Sequence, residues 1–241
     1  MPVRRIRGTM VLDNRPERPP VSGHRPANGG GCMVTKIDLK SEFKQLFTSS
    51  ARKIEVVDVP KFNFVMVDGY MEPNERPATS AAFQNAIAAL VGVSLALKTA
   101  SKQRARNPID FAVMPLEGLW WVDAGDFDFQ LTSRWRWTLM IMQPKHITET
   151  MFGRALETLK EGPGHQAAGR VRFAPIREGL AVQTLHVGGY HEEPRTVARM
   201  KAFAAENGYR YRGKHHEIYL SDPHQGRPEK LRTIVRHPVE K

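Results

Sequence analysis

Val67-Asp68-Gly69-Tyr70-Met71-Glu72 and Val187-Gly188-Gly189-Tyr190-His191-Glu192 are two copies of one local pattern. Each follows a stretch of alternating apolar residues and precedes an amphipathic one. Alternation of period two marks a strand, and apolar residues three and four apart mark a helix. Phe62, Phe64 and Met66 alternate with Asn63, Val65 and Val67 before the first copy. Phe83, Ile87, Leu90, Ser94 and Leu97 then form a helical stripe, with Thr79 or Ser80 as its cap. After the second copy Pro194 is suited to open a helix, Val197 and Met200 face inward, and Gly208 is placed to stop it. After each helix comes a strand containing Leu116 or Leu220, then a last strand containing Thr138-Leu139 or Thr233-Ile234. The order strand, Gly-Tyr-x-Glu, helix, strand, strand thus occurs twice, and such internal repetition outranks any single-element reading.

An α+β fold follows. Two strand–helix–strand–strand units, about 53–144 and 165–241, pair around a pseudo-twofold axis. Their strands form a curved antiparallel sheet or barrel, the helices lie outside, and a central ligand cavity is lined by both copies. A helix near 148–161, stopped by Gly162-Pro163-Gly164, joins the halves. Lys53 to Val67 reads as two short strands around Pro60. Val171–Ile176 and Ala181–Val187 read as two strands with Glu178-Gly179 as the turn between them.

The 241 residues suffice for one large domain. Residues 1–32, rich in Pro, Gly and Arg, read as a disordered basic leader, and Met33 as an alternative start. That leaves 33–241 as the folded domain. The net charge of +11 raises the prior for an anionic partner. However, the leader carries part of it, and no helix-turn-helix pattern precedes the domain, so duplex DNA ranks last among candidate partners. Gly29-Gly30-Gly31 does not lead into a phosphate-loop sequence. Cys32 is the only cysteine, which excludes an internal disulfide and any cysteine metal site. The longest apolar stretch, Ala86 to Leu97, suits a buried core helix better than a membrane span. With no apolar segment behind Arg4, Arg5 and Arg7, a cytoplasmic location is expected.

Val67-Asp68-Gly69, Met114-Pro115-Leu116-Glu117-Gly118-Leu119-Trp120-Trp121, Trp137-Thr138-Leu139-Met140-Ile141-Met142-Gln143-Pro144, His216-Glu217-Ile218-Tyr219-Leu220-Ser221-Asp222-Pro223 and the closing Leu231-Arg232-Thr233-Ile234-Val235-Arg236-His237-Pro238-Val239 resemble the GyrI-like small-molecule-binding proteins in their stand-alone form. The resemblance runs from about Lys40 to the end of the chain. It implies two strand–helix–strand–strand units around a drug-binding cavity. Members of that family sense drugs when fused to transcription activators, inhibit DNA gyrase, or detoxify by hydrolysing cyclopropane-bearing alkylating compounds with a cavity glutamate and aromatics. By motif position that glutamate is Glu217.

The residue chemistry can be read beside the resemblance. Glu217 shares a strand face with His215 and Tyr219, where a desolvated carboxylate could take a proton from water or attract a cation. All 4 tryptophans fall between Trp120 and Trp137. Indole faces suit aromatic and cationic ligands, although core packing uses the same residues. The candidate set is Glu217 as general base, Tyr70 as hydrogen-bond donor, and Trp120, Trp137, Tyr190, Tyr219 and Phe111 as ligand walls. The expected partner is an aromatic or cationic small molecule, with gyrase as an alternative protein partner. The rival functions are a non-catalytic sensor or sequestering protein. No cofactor is implied. His186, His191, His215 and His216 match no metal-binding spacing, so no metal is expected.

Overall fold

The computed structural model describes residues 33–125, 127, 129, 132–159, 168–221 and 227–241. The expected leader, the Gly162-Pro163-Gly164 stop and the Asp222-Pro223 end of one motif lie outside the described residues. In chain order the elements are β1 (Thr35–Ile37), α1 (Leu39–Glu42), α2 (Lys44–Phe47), β2 (Glu55–Met71), α3 (Ala81–Lys102), β3 (Ile109–Phe111), β4 (Leu116–Trp121), β5 (Trp135–Gln143), α4 (Glu149–Leu159), β6 (Arg172–Val187), α5 (Glu193–Glu206), β7 (Arg210–Tyr211), β8 (His215–Tyr219) and β9 (Arg232–Glu240).

The duplicated order is β2-α3-β4-β5 followed by β6-α5-β8-β9. The strands run β6-β2-β5-β4-β8-β9, and a further β6–β9 pairing closes them into a six-stranded antiparallel barrel. Among the described residues closure leaves no long unpaired edge in this barrel. It depends on two strands longer than expected. β2 is one strand of 17 residues and β6 one of 16, each pairing with different neighbours at its two ends. The predicted breaks at Pro60 and at Glu178-Gly179 are therefore not turns. They face each other: Val59 pairs with Gly179 and Lys61 with Arg177, so the ladder skips only the proline and resumes in register. Proline has no N–H to give there, and Gly179 takes φ +70°, so both strands bend together without ending.

Alternation then sorts side chains to the two sides of the wall. Outward go Trp137, Leu139 and Ile141, against α3, where Phe83, Leu90, Val93 and Leu97 are buried. The Gln143 amide donates to Ser94 Oγ of α3 across this contact. Val182 and Val235 pack outward against Met200 of α5. Inward go Phe64, Met140 and Met142, which fill the barrel. The segment α1–α2 closes one end: the Gln183 amide donates to the Gln45 carbonyl (2.8 Å) and the Arg236 guanidinium to the Leu46 carbonyl (2.8 Å). Only about 10 Å³ stays free between this plug and the inner side chains.

The helix caps follow the sequence signals. Ser80 Oγ accepts from the Phe83 amide, and Gly208, at φ +73°, follows the end of α5. By length and composition α3 would suffice to cross a membrane. Here its apolar stripe packs against the barrel wall instead.

Candidate functional site

β8 reads His215-His216-Glu217-Ile218-Tyr219, and alternation divides it between the two sides of the wall. His215, Glu217 and Tyr219 go outward beneath the start of α5, while His216 goes inward. Each side acquires a buried charged cluster.

On the outer side His215 Nε2 lies 3.1 Å from Glu193 Oε1 and 3.3 Å from Glu217 Oε1. All three residues are buried, Glu193 completely. Burial and the charge of Glu217 hold the Glu193 carboxyl up at about 7, against the pull of His215. Burial alone would push His215 down, but the two carboxylates outweigh it and hold the imidazole at about 9. His215 is thus an imidazolium at neutral pH, donating to both acids. Tyr219 completes the row. Its hydroxyl bonds to Glu217 and accepts from the Trp120 indole N–H at 3.1 Å. Burial, then the Glu217 charge, raise the phenol well above its ordinary range.

This indole–phenol bond passes directly over Gly118. A Cβ there would stand 2.9 Å from both Trp120 Nε1 and Tyr219 Oη, so only glycine fits. Gly69 is needed for the same reason, since its Cβ would overlap the Trp137 ring at 2.2 Å.

Aromatic rings surround the acids. Trp120 stacks on Phe83 (5.6 Å between centroids) and meets Trp135 edge-on. Phe127 stacks on His215 (5.4 Å), and Phe129 meets the same imidazole edge-on. Trp137, wholly buried, lies behind Phe83. Tyr190 stands edge-on to Tyr219 at 6.2 Å and is 40% exposed, at the rim.

The structure therefore gathers Glu217, Trp120, Trp137, Tyr219 and Tyr190 in one region. Two candidates lie elsewhere. Tyr70 is cross-strand partner of Arg136, half-exposed on the other side of the barrel wall, with the Arg134 guanidinium over its ring. Phe111 is buried in β3, edge-on to His146 and near the C-terminal end of α3, where Lys98 donates to its carbonyl. Sequence reading missed Glu193, Phe83, Phe127 and Phe129. Glu193 follows the Glu192 of the second repeat, but nothing local distinguishes a helix-start acid in solvent from one aimed into a core.

On the inner side His216 bridges Glu117 (3.0 Å) and Glu178 (2.9 Å), and Arg236 joins Glu178 (3.2 Å) to Gln183 (3.0 Å). Burial would raise Glu178, but His216 and Arg236 outweigh it and hold it down at about 2. With almost no free space beside it, this network is a structural strut between β4, β6, β8, β9 and the α1–α2 plug.

Glu193, His215 and Glu217 each offer one atom, all within 4.8 Å of one another, a spacing a divalent cation could use. The shared N–H of His215 already satisfies those atoms, and a cation would have to displace it.

The chain matches the GyrI-like small molecule binding domain over residues 52–240. A conserved protein from Listeria innocua is 37% identical, with 85% of this chain and 100% of that chain aligned and a TM-score of 0.75. A hydrolase from Listeria innocua is 35% identical over 85% of this chain and 100% of its own, with a TM-score of 0.73. No curated protein sequence is detectably similar.

Proposed function

This chain belongs to the GyrI-like small-molecule-binding domain family, and on that premise we propose that it binds an aromatic or cationic small molecule beside Glu217, between α3 and α5, and hydrolyses strained electrophiles there. The observation that carries the proposal is the pairing of one acid with an aromatic enclosure. Glu217 is 6% exposed, and Trp120, Phe127, Tyr219 and Tyr190 stand around it or its partner His215. Flat apolar rings select aromatic compounds, and the carboxylate favours cationic ones. A hydrolase among similar proteins supports the reaction class.

The roles follow from position. The His215 imidazolium holds one Glu217 oxygen in place. A water beside the carboxylate gives up its proton to Glu217 as its oxygen attacks the methylene carbon of a cyclopropane. The carbon–carbon bond breaks, and its electron pair moves into the conjugated ring as a phenolate. As Glu217 takes up the water proton it releases the Tyr219 O–H, which turns to donate to the developing oxyanion; Tyr219 takes the donor role first assigned to Tyr70, which faces away. Ring strain supplies much of the driving force, so positioning suffices.

Detoxification in the cytoplasm is the cellular role this chemistry suits. The test is a time course with a cyclopropane-bearing alkylating compound, read by mass spectrometry of the small molecule. A water-added, ring-opened product that forms faster than in buffer and is lost in Glu217→Gln supports the hydrolase. An intact compound that raises Tm would make the protein a binder only, acting in sensing or sequestration.

A further inference from the structure

A cavity of 340 Å³ opens at the mouth of the barrel opposite the α1–α2 plug. It lies on the inner side of the wall, away from Glu217, and both halves of the duplication line it. Asp68, Thr138, Trp121 and Arg136 come from the first half, and Arg170, Arg172 and Lys214 from the second.

Its charge is unbalanced. Among the described residues four cations line it with one carboxylate. Asp68 is taken up by Arg172 (2.8 and 3.0 Å) and by Thr138 (2.6 Å). Arg136 is paired with Asp123 (2.9 Å). That leaves Arg170 and Lys214. Among the described residues Arg170 reaches the Asp68 carbonyl, at 3.4 Å, and no carboxylate. Among the described residues Lys214 has no acid within ion-pair distance; its ammonium lies 3.1 Å from the centre of the Trp121 ring. Burial pushes Lys214 below the usual lysine range; the charge of Asp68 opposes this and that of Arg172 adds to it. Among the described residues these two cations thus share a concave surface whose one carboxylate, Asp68, is already bonded to Arg172, an arrangement that an anion would relieve.

We propose that this mouth is a second binding site, distinct from the Glu217 enclosure, for a small organic anion whose carboxylate or phosphate is held between Lys214 and Arg170. The volume falls in the ordinary range for ligand pockets, large enough for a ring carrying such a group. A planar guanidinium from Arg170 meets two oxygens of an oxyanion, and Lys214 adds a point charge. Tyr70, at the same rim, supplies the hydrogen-bonding hydroxyl that the Glu217 site does not use.

Calorimetric titration of the full chain at low ionic strength tests this, with phenyl phosphate, benzoate and inorganic phosphate as probes. The expected result is saturable one-site binding of at least one probe. It should weaken at least tenfold in Lys214→Gln and in Arg170→Gln, and stay unchanged in Glu217→Gln. The order of the three affinities then distinguishes phosphate from carboxylate and shows whether the ring contributes. Saturable binding of none of the probes would overturn the proposal. So would equal affinity in both cavity variants, or loss of binding in Glu217→Gln alone. Arg170 has the fewer contacts, so its variant keeps the test decisive if Lys214→Gln melts early. Failure here leaves hydrolysis at Glu217 untouched, because the two readouts use different probes and different variants.

Discussion

Replacing Arg236 by methionine puts the inner network to a quantitative test. The methionine keeps much of the arginine stem's volume and removes four hydrogen bonds: two to Gln183 Oε1, one to the Leu46 carbonyl and one to Glu178 Oε2. Arg236 is 3% exposed and Glu178 9% exposed, so little water replaces what is lost. A buried acceptor without a donor costs roughly 1–3 kcal/mol, and a broken buried ion pair costs about 3–5 kcal/mol. Glu178 keeps His216, which limits its share. The expected destabilisation of Arg236→Met is about 3–5 kcal/mol. In the double variant Glu178→Gln/Arg236→Met neither charge remains. Its cost should therefore fall short of the sum of the single variants by at least ~1.5 kcal/mol. The assay is equilibrium urea unfolding followed by tryptophan fluorescence. Because Arg236 also holds the Leu46 carbonyl, proteolysis near Leu46 and Phe47 should speed up in the single variant. A loss below ~1 kcal/mol, or additivity within about 0.5 kcal/mol, would refute the claim that the plug and the barrel wall share one ionic strut.

Other perturbations have equally definite outcomes. Glu193 sits near 7 in the folded chain against an ordinary 4.5, so its contribution to stability is complete below about pH 4.5 and is lost as pH rises through 7. Glu193→Gln should remove a fall on the order of 2–3 kcal/mol between pH 5 and pH 8; unfolding curves for variant and parent that change in parallel with pH would contradict this. Glu178 has the opposite sign: held at about 2, its contribution is complete above pH 4.5 and lost as pH falls through 2, so acid unfolding should begin earlier in Arg236→Met. Gly118→Ala forces Trp120 and Tyr219 apart and should cost about 1–3 kcal/mol with a changed tryptophan emission; unaltered emission would mean the indole–phenol bond is not held there. Phe127→Ala removes a ring stacked on His215 and should weaken binding of a flat aromatic compound, measured by titration; unchanged or tighter binding would remove Phe127 from the walls of the site.

The comparison of sequence with structure separates by range. Elements whose signals repeat within one or two turns or strand lengths were legible: the stripe of α3, its Ser80 cap, the Gly208 stop, the alternating run of β5, and the doubled order of elements. The two bends were misread because Pro60 and Glu178-Gly179 carry local turn chemistry. Only their position opposite each other in a ladder lets the strands continue, and a single segment holds no record of its partner. The repeated Tyr positions diverge for a similar reason. β2 extends through Tyr70 and Met71, whereas β6 ends at Val187, Gly188 takes φ +141°, and Tyr190 enters a short 3-10 turn beside Tyr219.

The candidate site divides along the same line. Motif position in the family resemblance pointed to Glu217, and alternation put His215, Glu217 and Tyr219 on one face of β8, as in the structure; which of Trp120 and Trp121 shares their side was open until the indole of Trp120 met Tyr219. Which of the remaining side chains meet Glu217 was decided by barrel closure. It brings Glu193 from α5 and Phe127 from the β4–β5 connection onto His215, and it turns Tyr70 to the opposite side of the wall. Local propensity acts over a few residues, whereas these contacts join positions up to about a hundred residues apart, so burial of the whole sheet, rather than any one segment, sets them.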